Sequence, residues 1–268
     1  ADPIDHVLMA ARSRVLMDSS ADGLRRQQQR VALTIGPGAA PVSVNERLGA
    51  LYAGALATLL LGDAAGADVA VNQALALLRE KPAPTAERTF KDLQVQVVLQ
   101  RGDPAGALKL LDAPALQPPT RWTMLLRGQA ALAYWNTQGG AAACPAPAAT
   151  GAAAVAVACD APSYKALRSS NEALQSWLST QPRDPLAWGM LAQGEEALGQ
   201  RLRAMRAQAE ARAALGDING AIDRLRTAQS LVRSGGANDF IEGSIIDARL
   251  RQLEAMRREI TAELRGSK

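Results

Sequence analysis

The sequence has few of the residue types on which β-sheets, metal sites and catalytic triads depend. Aromatic residues make up only 3% of its 268 residues, which disfavours a β-sandwich built from β-branched and aromatic side chains. The single histidine, His6, cannot form a triad or a metal site without suitable partners. H-E-x-x-H, the phosphate-binding loop, G-x-G-x-x-G and the nucleophile elbow are all missing. We therefore expect a chain that is not an enzyme and that uses no cofactor and no metal.

Charge and hydropathy weigh against two further classes of protein. The net charge is only +4 at pH 7, and the arginines are scattered among glutamates and aspartates, so no nucleic-acid-binding surface is predicted. Only the pI of about 9.4 favours a nucleic-acid-binding helical protein, which would need its arginines on one stripe with stacking aromatics. No apolar run approaches the roughly 18–20 residues of a membrane span.

The sequence opens without an initiator Met or a signal-peptide pattern, so we expect a processed chain or an excised fragment.

What the sequence does have is alanine and leucine at helical spacing around a repeated corner. The motif G-D-x-x-G-A occurs three times, at 62–67, 102–107 and 216–221. Glycine can take the left-handed conformation that ends one helix, and the aspartate can cap the next. Each copy lies between two apolar helical patterns. This repetition predicts an all-α fold, a solenoid of helical hairpins like those of tetratricopeptide (TPR) repeats, with a long C-terminal capping helix.

The stretch 203–231 shows the hairpin most clearly. Apolar spacing predicts one buried stripe on each helix, formed by Met205, Ala209, Arg212 and Leu215 before the corner and by Ala221, Leu225, Ala228 and Leu231 after it. Helix 201–215 can pair backward with 186–198 or forward with 218–232. The sequence leaves both pairings open.

We predict a single TPR-like domain over 1–268. Its parts are a degenerate first hairpin at 1–35, repeats at 43–136 and 163–232, an Ala/Gly/Pro-rich excursion at 137–162 and a capping helix at 238–265. Ser43 with Glu46 forms a capping box that marks a helix start. The last helix could instead form a coiled-coil dimer seam. Its heptad spacing breaks at Arg257, which favours the capping role.

Both cysteines, Cys144 and Cys159, lie in the excursion. They could be two free small residues, but their places near either end of one loop favour a disulfide formed in an oxidising compartment. Closing a loop of this length contributes about 3 kcal/mol in the loop-entropy model. A zinc site would need two further ligands.

The sequence resembles the C-terminal TPR domain of BepA-type periplasmic zinc metalloproteases. The resemblance lies in the residues RAQAEARAALGDINGAIDRLRTAQSL and in DFIEGSIIDARLRQLE, which follows them. DPIDHVLMAARSRVL at the N-terminus fits the same arrangement, and the specific part of the resemblance is 203–253. It implies a periplasmic, chaperone-like, non-catalytic domain that binds outer-membrane β-barrel clients and their assembly machinery. It also implies a peptidase domain in the same protein, although this sequence contains no peptidase motif.

The excursion with its cysteines departs from what the family implies. A free-standing envelope TPR scaffold or secretion-related protein is therefore the alternative. An H-E-x-x-H motif encoded upstream of residue 1 would separate the two readings.

In TPR geometry the first helix of each repeat lines a concave face. Counting back from the corners, and taking 201–215 as a first helix, predicts a partner-binding groove. Its residues are Tyr52, Leu56, Leu59, Asp92, Gln96, Leu99, Gln193, Glu196, Arg203, Arg206 and Glu210. One end of this groove is apolar and the other carries mixed charge, which suits an extended or helical segment of a partner protein.

Overall fold

The computed structural model describes residues 3–142, 144, 159–234 and 240–266 of the chain. Within these ranges the chain forms α-helices and two short 3₁₀ turns, Pro114–Leu116 and Gly140–Ala142, and no β-strand. The helices are α1 (Pro3–Met17), α2 (Ala21–Ile35), α3 (Val44–Leu60), α4 (Ala64–Glu80), α5 (Pro84–Gln100), α6 (Pro104–Leu111), α7 (Arg121–Thr137), α8 (Pro162–Thr180), α9 (Pro185–Ala197), α10 (Arg201–Ala214), α11 (Ile218–Ser234) and α12 (Phe240–Gly266). The predicted all-α class is confirmed.

The start of α3 shows how short-range chemistry sets a helix end. The Ser43 hydroxyl accepts a hydrogen bond from the backbone N–H of Glu46 at 3.3 Å, and the Glu46 carboxylate accepts one from the Ser43 N–H at 2.9 Å. Both bonds satisfy N–H groups that have no partner within the helix. The predicted capping box is confirmed.

Each copy of G-D-x-x-G-A builds the same corner. The first glycine has a positive φ, at 91°, 80° and 85° for Gly62, Gly102 and Gly216. The aspartate after it accepts a hydrogen bond at 2.8 Å from the backbone N–H of the second glycine. A Cβ on that second glycine would clash with the capping carboxylate, so the motif needs glycine twice. The closing alanine is fully buried in all three copies, at Ala67, Ala107 and Ala221.

The chain divides into two compact units, residues 1–126 and 127–268, and the border falls within α7. In unit 1, α3 packs against α1, α2 and α4, and α5 follows with α6 beside it. The core of this unit contains Leu48, Phe90 and Leu93, each with at most 2% of its surface exposed. The single domain expected over 1–268 stays a prediction.

The first hairpin of unit 1 is open, in that α1 and α2 both pack on α3 but touch each other only sparsely. Close approach to α3 depends on its glycines. A Cβ at Gly49 would lie 2.5 Å from Val7 Cγ1 of α1, and one at Gly54 would lie 3.2 Å from Val31 Cγ1 of α2. The two helices therefore lie on either side of α3 with a gap between them.

In unit 2, α10 packs against both α9 and α11. The two pairings that the sequence left open are thus both present. The stripe predicted for α10 is confirmed at Ala209, which is buried, and wrong at Leu215, which is 73% exposed. Because α10 packs on two sides, Leu202, Ala204 and Ala207 are buried as well. The stripe predicted for α11 is confirmed at Ala221, Leu225 and Ala228, which are fully buried.

The terminal helix α12 packs along α11 and also reaches α10. Ile246, Leu250 and Leu253 of α12 are buried in the core of unit 2. The helix covers the last hairpin of its own unit, as a capping helix does. It begins at Phe240; residues 238 and 239 of the predicted capping segment lie outside the described residues.

Cys144 and Cys159 form a disulfide with their Cα atoms 5.7 Å apart, as predicted. Residues 143 and 145–158 of the predicted excursion lie outside the described residues. In the part of the chain that the structure describes, no helix is both long enough and apolar enough to cross a membrane.

Candidate protein-binding surfaces

Three of the predicted groove residues in unit 1 lie in its core. Tyr52, Leu56 and Leu59 of α3 are only 3%, 4% and 7% exposed. Because α1, α2 and α4 surround α3, the side chains of this helix are covered by the chain itself. The prediction that these three contact a partner is therefore wrong.

The other predicted residues of unit 1 remain at its surface. Asp92, Gln96 and Leu99 of α5 are half-buried, and their three- and four-residue spacing places them on one face of the helix. The Gln96 side-chain amide donates to the Asp92 backbone carbonyl at 3.4 Å. We call Asp92, Gln96 and Leu99 the α5 surface. As a partner-contacting surface it stays a prediction.

Beside the α5 surface lies a polar and aromatic cluster that sequence reasoning missed. Arg12 of α1 donates from Nη1 to the Tyr52 hydroxyl at 3.1 Å, and its Cζ lies 5.9 Å from the centre of the Trp122 ring. The Tyr52 ring meets Phe90 of α5 edge to face at 5.7 Å. The cluster thus joins side chains of α1, α3, α5 and α7. Arg12 precedes the first Gly-Asp corner, so no register in the sequence could have placed it.

Asp92 is the chemically unusual member of this region. Its Oδ1 is buried and has no hydrogen-bond partner among the described residues. Burial raises the pKa of Asp92 to about 6, against the opposing effect of the positive charges of Arg88 and Arg12. A carboxyl group at the edge of the α5 surface therefore ionises close to neutral pH.

Asp92→Asn is expected to raise the free energy of unfolding at pH 7 by about 1 kcal/mol, a figure reduced for the solvent screening of a half-buried group. The raised pKa means that the native state binds more protons than the unfolded chain between about pH 4 and 6, so the wild type loses stability as the pH rises through this window. Urea unfolding of both proteins from pH 4 to pH 7 should show a difference that grows with pH. The control Asp223→Asn, at an exposed position, should show no difference from the wild type that grows with pH. A pH-independent difference for Asp92→Asn would contradict the assignment.

Arg88 of α5 forms hydrogen bonds to the loop that precedes α7. Its Nη2 donates to the carbonyls of Leu116 at 3.1 Å and Pro118 at 2.7 Å, and its Nη1 donates to the Gln117 carbonyl at 3.4 Å. These bonds hold the loop that leads into α7. Trp122, in the first turn of α7, is thereby positioned beside Arg12.

In unit 2, Gln193 and Glu196 of α9 and Arg203 of α10 are exposed, and Arg203 Nε also lies 3.9 Å from a carboxylate oxygen of Glu242 in α12. We call these three residues the α9–α10 surface. Beneath it lies Glu195, only 4% exposed, whose Oε1 accepts from the Gln175 amide at 3.0 Å. Burial raises the pKa of Glu195, and the charge of Arg203 opposes the rise.

The last two predicted groove residues bind the chain's own terminal helix. Arg206 pairs with Glu242 of α12, and both oxygens of Glu210 accept from Arg249 of α12, at 2.8 and 2.7 Å. The prediction that Arg206 and Glu210 are open to a partner is therefore wrong. The sequence predicted α12 but gave no register for its docking on α10.

Across the residues that the structure describes, no group of three or more His, Cys, Asp or Glu side chains could hold a metal ion. The chain matches no family model and no curated protein at a significant level.

Proposed function

We propose that the chain is a non-catalytic, TPR-type protein-binding domain. We further propose that it belongs to a periplasmic metalloprotease or chaperone-like factor in outer-membrane protein assembly and quality control. The observation that carries the proposal is the triplicated corner, in which a positive-φ glycine, a capping aspartate and a buried alanine recur with one geometry. Hairpins of this kind bind partners through side chains presented by successive helices.

Two further features support the location and the family. The Cys144–Cys159 disulfide suits an oxidising compartment such as the periplasm. The resemblance of 203–253 to the TPR domain of BepA-type proteases covers α10, α11 and the first half of α12, which form one continuous core in unit 2. The proposed partners are segments of outer-membrane barrel clients or of their assembly machinery.

The binding surfaces proposed are the α5 surface of unit 1 and the α9–α10 surface of unit 2. Both combine hydrogen-bonding amides with charged groups. The α5 surface adds the apolar Leu99 and lies beside the Arg12–Trp122 contact. Amides can bond a peptide backbone of any sequence, while flanking apolar and charged groups select its side chains.

Site-specific photo-crosslinking in intact envelopes tests this proposal. A photoreactive amino acid placed at Gln96, Leu99, Gln193 or Glu196 should capture barrel proteins or assembly factors. Exposed positions of α12, Arg251 and Arg258, serve as controls and should capture neither. Capture from the α12 positions alone would reject the two surfaces, and capture from no position would reject the proposed class of partner.

A further inference from the structure

The gap between α1 and α2 is a cleft of about 410 Å³ in unit 1. Small residues of α3, Gly49, Ala50 and Ala53, form its floor, and Val7 of α1 and Val31 of α2 form its walls. This volume lies within the range of small-molecule binding sites, which are mostly apolar with a few polar groups.

The cleft follows from the way the first hairpin packs. Since α1 and α2 rest on α3 and touch each other only sparsely, the space between them stays open among the described residues. Ala10 on α1 and Ala50 on α3 are too small to fill it. The cleft shares no lining residue with the two proposed protein-binding surfaces, and its proposed role does not depend on them.

Two cations line this apolar cleft without a partner. Arg14 lies four residues after Ala10 on the same face of α1, and Arg30 precedes Val31 on α2. Neither guanidinium has a hydrogen bond or an ion pair within the described ranges.

The acidic residue of the lining, Glu46, is already engaged. Its Oε2 accepts from the Ser43 N–H at 2.9 Å and from the Ser43 hydroxyl at 2.7 Å. These bonds hold the pKa of Glu46 below its usual value. Glu46 stays ionised, so two arginines and one glutamate give the lining an excess of one positive charge, and Arg14 and Arg30 are the cations that can pair with a ligand.

We propose that this cleft binds one medium-chain fatty acid. The alkyl chain lies along the floor of small residues, and the carboxylate pairs with Arg14 or Arg30, whose planar guanidinium matches a carboxylate. Length sets the chain class: from His6 to Arg14 the α1 lining extends for about 12 Å at 1.5 Å per residue. An acyl chain of about ten carbons matches this length.

Isothermal titration of the full chain with hexanoate, octanoate and decanoate tests the proposal. One molecule should bind per chain, and affinity should rise about fourfold for each added methylene that enters the cleft. Decyltrimethylammonium, which has a chain of ten carbons and a positive head, should bind at least tenfold more weakly than decanoate. Equal binding of the two head groups, or several decanoate molecules per chain, would overturn the proposal.

Variants locate the site. Arg14→Gln with Arg30→Gln should weaken decanoate binding at least tenfold, while Arg79→Gln with Arg251→Gln removes the same charge at exposed positions and should leave it unchanged. Ala50→Leu fills the floor and should block binding, with thermal unfolding confirming that the variant is folded. Unchanged binding in the Arg14/Arg30 variant would overturn the proposal.

Displacement of decanoate by far lower concentrations of a peptide with an apolar C-terminal residue would also overturn it, since a polypeptide terminus would then be the occupant.

Discussion

Phe90→Ala is expected to lower the free energy of unfolding by about 3–5 kcal/mol, the usual cost of deleting a buried phenyl ring. Phe90 has no exposed surface and meets the ring of Tyr52 edge to face at 5.7 Å. Its removal leaves a cavity between α3 and α5 and withdraws the support of the tyrosine to which Arg12 donates. Urea unfolding of wild type and variant measures the effect.

The matched control is Leu33→Ala, which truncates an apolar side chain that is 82% exposed. It should change the free energy of unfolding by no more than about 0.5 kcal/mol, as surface substitutions usually do. A loss below about 1 kcal/mol for Phe90→Ala would contradict the core assigned to unit 1.

Replacing both Cys144 and Cys159 by serine is expected to lower the free energy of unfolding by about 3 kcal/mol, because the unfolded chain regains the entropy of a loop closed over 15 residues. Dithiothreitol should destabilise the wild type by a similar amount and leave the double variant unaffected. The variant thus serves as its own control for other effects of the reductant.

The same disulfide can be tested without a variant. Thiol titration of the oxidised, denatured protein should find no free thiol. Two reactive thiols in material purified from the periplasm would contradict the disulfide and remove its support for an envelope location.

The parts of the fold that depend on near neighbours in sequence could be predicted from the sequence. The Ser43–Glu46 capping box and the three Gly-Asp corners each involve residues three or four apart, so local chemistry determines them. The disulfide could be predicted because the chain offers two cysteines and one loop. The helix ends at these four places followed from the local signals.

The lateral neighbours of each helix could not be predicted in the same way. Leu215 fits an apolar stripe by spacing, yet it is 73% exposed because α10 is buried on two other sides. Tyr52 was placed in the groove by counting from a corner, whereas α1 covers it and supplies Arg12 as its partner. Glu210 was expected to be open, but Arg249 of α12 binds it. Periodicity shows that a helix has an apolar face, but it does not show which helices share it.

Each unit has a carboxyl group with a perturbed pKa at its proposed binding surface: the half-buried Asp92 belongs to the α5 surface, and the buried Glu195 lies beneath the α9–α10 surface. Burial raises the pKa of both Asp92 and Glu195, and the positive charges of nearby arginines oppose the rise. Buried charges of this kind usually cost stability. Asp92 is mostly neutral below about pH 6, so we expect the affinity of the proposed α5 surface for a partner to depend on pH.

The central claim, protein binding through the α5 and α9–α10 surfaces, is tested most directly by affinity measured alongside stability. Fluorescence anisotropy of a labelled, unfolded outer-membrane barrel protein titrated with the purified chain gives the affinity. Gln96→Lys and Gln193→Lys should weaken binding at least tenfold with an unchanged unfolding temperature, while Arg251→Glu on α12 should leave binding intact. Equal affinity for all three variants and the wild type, or no binding by the wild type, would contradict the claim.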